Sequence, residues 1–251
     1  MAERSNNRRR FLRASSIAGA GLVLVACGKN SESEKAGGDE KGGEVTATED
    51  LMREHGVLRR ALLVYAETIP KLRADAASVS PAALQKTAKL FRAFGEDYHE
   101  KKLEEAYIFP AVKKAGGTAA ALPDILITQH NRGREITEYI IAVTGSAKLG
   151  AANAESLAQA LVGFGRMYEH HAALEDTIVF PAWKATLTEK QLDEMGDKFE
   201  EIEQQQFGED GYEDAVKQIG DIEGTLGLSD LAQFTAPPPP PTVEPKASAT
   251  R

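Results

Sequence analysis

The sequence predicts an all-α protein, an up-down-up-down four-helix bundle with a C-terminal helical extension. Alanine, leucine, glutamate and lysine, which favour helices, dominate the composition. Apolar residues recur three and four positions apart through the middle of the chain, which is the spacing of one helix face. No run of alternating polarity there suggests a strand. Short connections between the first four predicted helices favour antiparallel neighbours.

The four bundle helices occupy the predicted domain 49–186. Ser80 followed by Pro81 is typical of a helix start, and Pro70 is expected to disturb the end of the helix before it. Gly163 and Gly165 are expected to permit close helix approach. The predicted helices start near residues 46–48, 81, 123 and 153, and end near residues 70, 115, 144 and 185.

A helical extension is predicted over residues 187–234, with helices at about 189–206 and 212–224. Thr188 and Gln191 have the spacing of a capping box, which favours a helix start at this point. Residues 235–251 contain five successive prolines and are predicted to be a disordered tail, because proline can continue neither a helix nor a sheet.

The first 27 residues are typical of an export signal. The segment 8–12 reads RRRFL and resembles a twin-arginine signal, and the apolar run that follows closes on Cys27, the only cysteine of the chain. The resemblance to a bacterial lipobox implies a lipid on Cys27 and a membrane-anchored, extracytoplasmic protein. An uncleaved signal anchor and a soluble exported protein are the alternatives. Residues 28–48 are rich in glycine, serine and charge, and are predicted to form a flexible tether.

Charge excludes one class of partner. The chain has a formal net charge of −8, and residues 1–27 carry five arginines and one acid. The remaining chain holds 25 basic and 37 acidic residues by the same count. Since nucleic-acid affinity depends on neutralising phosphates, we expect no nucleic-acid partner.

One motif occurs twice. Residues 98–112 read YHEKKLEEAYIFPAV and residues 169–183 read EHHAALEDTIVFPAW, so histidine is followed by a carboxylate pair and then by Phe-Pro. Every bundle helix carries at least one of the five histidines, and imidazole with carboxylate suits iron, manganese or zinc. The sequence therefore predicts a metal site inside the bundle. The histidines are His55, His99, His130, His170 and His171.

On the fourth helix, His171 and Glu175 are four residues apart and share one face, so both can reach one ion. His170 points about 100° away. We therefore favour His171 as the metal ligand and assign His170 to the rim of the site. The alternative is that His170 is the ligand instead.

The second helix is less regular. Aligned on the Phe-Pro pairs, Glu104 takes the place of the glutamate in the second motif, but His99 lies five residues before it. An ideal α-helix separates two such residues by about 140°. A single-turn π-bulge near the lysine pair 101–102 would restore a common face. Otherwise Glu105 or Glu100 replaces one of these ligands.

These motifs resemble the hemerythrin-like, or HHE cation-binding, family over about residues 49–186. The resemblance implies a bundle around two non-haem irons joined by carboxylates and an oxo or hydroxo bridge, with a free position for dioxygen or another small ligand. Other divalent metals remain possible. Carried over to this chain, it implies bridging by the two glutamates and coordination by four histidines. The implied metal ligands are His55, His99, Glu104, His130, His171 and Glu175.

The sequence departs from the oxygen-carrying hemerythrins at one position. Those proteins have a second histidine one turn after that of the third helix, where this chain has Arg134. The departure argues against reversible oxygen carriage, and fewer protein ligands leave more open positions on the metal.

An exported protein that binds or senses a small ligand is the leading hypothesis. The alternatives are a di-iron oxidase or an enzyme that consumes peroxide or nitric oxide, and a structural lipoprotein whose extension docks a partner. Histidine precedes glutamate in both motifs, opposite to the ExxH order of ferritin-type sites, which argues against ferroxidase activity.

Overall fold

The computed structural model describes residues 45–208 and 210–240, and within them every regular element is a helix. The predicted signal, Cys27 and most of the predicted tether lie outside the described residues, as does most of the proline-rich tail. None of the described helices is long and apolar enough to cross a membrane.

Helix α1 spans Ala47–Ala74. The Thr46 side chain accepts a hydrogen bond from the Glu49 amide at 3.3 Å and so caps its first turn. Val45, Ala47 and Thr48, which lie within the predicted tether, are buried. Pro70 lies inside the helix, which continues for another turn.

The second rod changes its helical geometry along its length. It consists of α2 (Pro81–Leu90), a π-helical segment π1 (Phe91–Ile108) and α3 (Phe109–Ala115). The Phe109 amide donates to the carbonyl of Glu104, five residues earlier, which is the π-type bond. The predicted π geometry is thus present in the second rod. The prediction of a single turn is wrong, because the π geometry extends over 18 residues.

The third rod is α4 (Pro123–Val143), and the fourth comprises α5 (Ala151–Leu174), π2 (Glu175–Val179) and α6 (Phe180–Lys184). The Phe180 amide donates to the carbonyl of Glu175, again five residues earlier. Both copies of the repeated motif therefore contain a widened turn immediately before Phe-Pro.

The extension contains α7 (Glu189–Phe207) and α8 (Gly211–Leu226). The predicted capping box is confirmed, since Thr188 and Gln191 each bond the other's backbone amide. A short 3₁₀ turn, Leu231–Phe234, follows α8.

Helix α1 packs against both the fourth rod and the C-terminal extension. Helix α1 lies against α5, and α2 and π1 lie against α4, while α7 and α8 cover α1 and the second rod. The buried side chains between these helices form one apolar core. Its largest fully buried aromatic side chains are Tyr65, Phe91, Phe94, Tyr98, Phe109, Phe164, Phe180 and Trp183.

Candidate metal centre

Four imidazoles from four different rods meet in the core as two pairs. His55 on α1 and His99 on π1 approach with their Nε2 atoms 3.0 Å apart. His130 on α4 and His171 on α5 form the second pair, also 3.0 Å apart between Nε2 atoms. All four side chains are buried. The core thus contains two adjacent clusters of nitrogen donors.

Two carboxylates reach both pairs. Glu104 lies 3.3 Å from His99 Nε2 through Oε1 and 3.4 Å from His130 Nε2 through Oε2. Glu175 lies 3.0 Å from His171 Nε2 through Oε1 and 3.5 Å from His55 Nε2 through Oε2. The structure therefore brings together all six residues predicted from the sequence.

The π geometry places His99 and Glu104 on one face. In an α-helix, five residues would turn these side chains about 140° apart. The wider turns of π1 remove most of that rotation, and the 3.3 Å approach of the two side chains follows.

Every imidazole is held at its outer nitrogen. A hydrogen bond at Nδ1 fixes the ring and leaves Nε2 facing the centre. Because ionised carboxylates only accept hydrogen bonds, Nδ1 carries the proton where its partner is an ionised acid. The partners of the Nδ1 atoms are Asp176 for His55 at 2.7 Å, Glu54 for His99 at 2.6 Å, Glu105 for His130 at 2.8 Å, and Gln129 for His171 at 2.9 Å.

Each copy of the repeated motif also supports a histidine on a neighbouring helix. In the second copy, Asp176 bonds His55 and the Phe180 ring stacks on it, with centroids 5.4 Å apart. In the first copy, Glu105 bonds His130 and Phe109 stacks on it at 5.6 Å. The second acid and the Phe of each motif thus position a partner imidazole, a relation that sequence reasoning missed. The signal for it was the doubled carboxylate.

The alternative ligands lie elsewhere. Glu100 is buried, but one of its oxygens accepts from Arg134 at 2.9 Å and the other bonds the hydroxyl of Tyr168. Glu105 contacts the outer nitrogen of His130 and also accepts from Arg134 at 2.6 Å. His170 is exposed. The geometry therefore favours Glu104 over Glu100 and Glu105, and His171 over His170.

The two central carboxylates differ in charge. Burial raises the pKa of Glu104, but the charge of His99 and the close approach of the His130 and His99 rings more than offset it and hold that pKa well below its ordinary value. Burial, together with the nearby charge of Glu104, raises the pKa of Glu175 well above its ordinary value. Glu104 therefore ionises more readily than Glu175.

The pKa values of the four central imidazoles are also shifted in opposite directions. Burial opposes protonation of both His99 and His130. The charge of Glu104 nevertheless helps to raise the pKa of His99 to about 10. The charge of Glu100 likewise helps to raise the pKa of His130 to about 9. Burial and a cationic neighbour lower the pKa of His55 and lower that of His171 well below the ordinary range. Each pair thus contains one cationic and one neutral ring. Since a ligating nitrogen must be free of its proton, a bound cation would take the place of these protons.

The donor set could hold metal ions. None of the four carboxylate oxygens of Glu104 and Glu175 has a hydrogen-bond partner among the described residues, although both side chains are completely buried. Buried acceptors without partners are costly, and a metal ion satisfies them. One group of donors that could hold an ion contains His55, His99 and Glu104, and another contains Glu104, His130, His171 and Glu175.

A narrow cavity of about 10 Å³ borders the centre. Leu58, Leu62 and Ala172 form apolar walls, and Tyr168 forms a polar one. A space of this size accommodates about one water-sized molecule.

The described residues thus define an all-helical protein with a buried cluster of histidines and carboxylates that could hold metal ions. Residues 46–183 match the sequence model of the hemerythrin HHE cation-binding domain, and the chain belongs to this family. It is also 42% identical over 233 residues to uncharacterized proteins of Mycobacterium bovis and Mycobacterium tuberculosis, covering 91% of this chain and 90% of each relative. No solved structure matches the chain.

Proposed function

We propose that this protein holds two non-haem iron ions in an up-down-up-down four-helix bundle and binds or senses dioxygen or another small ligand there. The single observation that carries the proposal is the position of two buried carboxylates between two imidazole pairs, with all four carboxylate oxygens lacking hydrogen-bond partners among the described residues. Contacts of α1 with α5, and of the second rod with α4, support the bundle arrangement.

The proposed roles follow from the contacts. His55 and His99 would hold one ion, and His130 and His171 the other, because each pair presents two Nε2 atoms to a common point. Glu104 would bridge the ions, and Glu175 would bridge them from the opposite rod. When bound, iron supplies open coordination positions and electrons for a small ligand.

The surrounding residues favour a small ligand. Leu58, Leu62 and Ala172 exclude bulk water from the centre, and the cavity of about 10 Å³ is too narrow for an organic substrate. The expected ligand therefore has two or three atoms.

Arg134 supports sensing or binding over reversible carriage. Its guanidinium donates to Glu100 at 2.9 Å and to Glu105 at 2.6 Å, so it orders the acids around His130. The position that holds a further histidine in oxygen carriers is thus occupied by a charged positioning group.

Export is the second part of the proposal. The twin-arginine pattern at residues 8–12 and the cysteine at the end of the apolar run support transport and a lipid on Cys27. Residues 28–44 would then tether the metal domain to an extracytoplasmic membrane surface.

The proposal is tested by iron analysis of the purified chain with visible absorption spectra before and after adding dioxygen or azide. We expect two irons per chain and a new absorption band when azide binds. Far less than one iron per chain after anaerobic reconstitution would refute the proposal. Steady turnover of dioxygen, peroxide or nitric oxide with a reductant would instead favour an enzyme, for which the open coordination positions leave room.

A further inference from the structure

We propose that the C-terminal extension is a working part of the metal centre, in which Phe207 and Tyr98 position His99 for the ion at the His55–His99 pair. The inference rests on the proposed function. It assigns a role to residues 187–234, which lie beyond the matched family domain.

The first link joins the extension to π1. The Phe207 ring, at the end of α7, meets the Tyr98 ring edge-on with centroids 5.4 Å apart. It also lies 6.1 Å from the ring of Phe94. Phe207 is itself tightly seated, because a Cβ atom added at Gly211 would lie 2.2 Å from its ring. The same ring therefore contacts π1 on one side and the first residue of α8 on another.

The second link joins Tyr98 to the imidazole. The Tyr98 hydroxyl donates to Glu54 Oε1 at 3.1 Å, and Glu54 Oε2 lies 2.6 Å from His99 Nδ1. Tyr98, Glu54 and His99 are all buried. Each end of the Glu54 carboxylate is thus fixed by one neighbour, and the ring of His99 takes its orientation from that carboxylate.

The extension is anchored to the helix that carries Glu54. Arg60 on α1 makes a two-pronged ion pair with Glu223 on α8, at 2.9 and 2.5 Å. Arg53 on α1 lies over the ring of Tyr212, 4.5 Å from its centroid. Phe207 is therefore held in fixed relation to Glu54 as well as to Tyr98.

The second imidazole pair is supported by residues other than Tyr98 and Glu54. His130 is held by Glu105 on π1, and His171 by Gln129 on α4. Loosening Phe207 should accordingly weaken the ion at His55 and His99 before the ion at His130 and His171. Loss of a residue that supports a metal ligand typically lowers metal affinity about 10-fold to 100-fold.

The test compares Phe207→Ala with Phe199→Ala in the full chain. Phe199 lies on the same helix and is buried, but it packs on Trp183 at 5.7 Å and on Tyr107 at 5.8 Å. Iron release to a chelator is followed for both variants and for the native chain. We expect F207A to release one of its two irons at about 10-fold to 100-fold lower chelator concentration, and F199A to release both at native concentrations.

Two further variants test the contacts that connect Phe207 through Tyr98 and Glu54 to His99. Tyr98→Phe removes only the hydroxyl and should weaken the same single ion, whereas Phe207→Tyr keeps the ring and should restore native retention. A metal-independent readout is the proton on His99 Nδ1, followed by NMR of the metal-free chain. It should exchange with water faster in F207A and Y98F than in F199A.

The outcomes separate the two proposals. If F207A and F199A release both irons alike, or if F207A and Y98F match the native chain, the positioning role is wrong and the di-iron proposal stands. If the native chain takes up no iron, the di-iron proposal fails, and native exchange rates at His99 in F207A and Y98F would overturn the positioning role as well.

Discussion

An oxygen of Glu104 and an oxygen of Glu175 lie within 4.8 Å of each other in the interior, and neither carboxylate has a hydrogen-bond partner among the described residues. Two acids this close repel each other when both are ionised. Burial raises the pKa of Glu175 well above its ordinary value, and repulsion from the charge of Glu104 adds to that effect. A bound pair of ions would remove this repulsion, because each carboxylate could then give one oxygen to each ion.

Glu104→Gln is therefore expected to reduce bound iron from two ions per chain to one or fewer. The amide keeps the shape of the side chain but removes the charge and one of the two oxygen donors. Metal analysis of the purified variant measures the effect. Glu100→Gln is the matched comparison and should retain two irons, because the Glu100 oxygens face Arg134 and Tyr168. Loss of iron in E100Q with retention in E104Q would reverse the ligand assignment.

The adjacent histidines of α5 provide the sharpest single-residue comparison. His171→Ala should lose the ion at the second pair, since the buried Nε2 atom lies 3.0 Å from both His130 Nε2 and Glu175 Oε1. His170→Ala should bind the native amount of iron, because its side chain is exposed. Iron content and the azide absorption band measure both variants. A native band in H171A would show that this imidazole is not a ligand.

Helix positions were predictable because they follow from local spacing, whereas the full set of six central residues was implied by the resemblance to the HHE family. His171 and Glu175 share a face at any α-helical register, and the spacing of His99 and Glu104 required a wider turn. The length of π1 was not predictable, since a five-residue hydrogen-bond register over 18 residues depends on packing against other helices. The second π segment, which starts at Glu175, was missed although it precedes the same Phe-Pro pair.

The residues that hold the imidazoles were missed for a different reason. Glu54 and Gln129 act on histidines of other helices, and no local spacing indicates such a contact. Phe109 and Phe180 each stack on a histidine from a neighbouring rod, which the repeated Phe-Pro pair does not indicate by itself.

The glycine that allows close helix approach also differs from the one predicted from the sequence. Gly163 was expected to permit close helix approach, but a Cβ atom there would meet nothing within 4 Å. The close approach is instead at Gly133, where an added Cβ would lie 2.4 Å from the Tyr168 hydroxyl. Tyr168 cannot easily move, because its hydroxyl bonds Glu100 and its ring packs on Phe91.

Gly133→Ala should therefore destabilise the fold by about 1–2 kcal/mol, since overpacking outweighs the gain in helix propensity. Gly163→Ala gains that propensity without a clash and should stabilise the fold by up to about 1 kcal/mol. Urea unfolding of both variants measures the two changes. Equal midpoints for the two variants would show that Tyr168 yields to the added methyl group.

Glu96 gives a prediction about pH. Its carboxyl is completely buried and accepts from the Thr137 hydroxyl at 2.6 Å, with Arg92 3.1 Å from its other oxygen. Burial raises its pKa to about 7, and the charge of Glu100 adds to the effect, while the Thr137 hydrogen bond and the charges of Arg92 and Arg134 oppose it. The folded chain therefore holds this proton more tightly than the unfolded chain does.

The sign follows from that difference. Stability contributed by the protonated carboxyl is complete below the unfolded pKa of about 4.5 and is lost as pH rises through about 7. Glu96→Gln keeps an acceptor for Thr137 and carries no charge to bury. Its stability relative to the native chain should rise from near zero at pH 4.5 to at most about 3 kcal/mol at pH 8, at about 1.4 kcal/mol per pKa unit.

Urea unfolding of both chains at a series of pH values measures this difference, because groups that do not interact with Glu96 titrate alike in the two chains. Exposed Glu194→Gln serves as the control for removing one negative charge, and its difference from the native chain should not follow the same profile. A difference for E96Q that is constant from pH 4.5 to pH 8 would mean that Glu96 ionises in the folded chain as readily as in the unfolded one. In that case Arg92 would fully offset the cost of burying the ionised carboxyl.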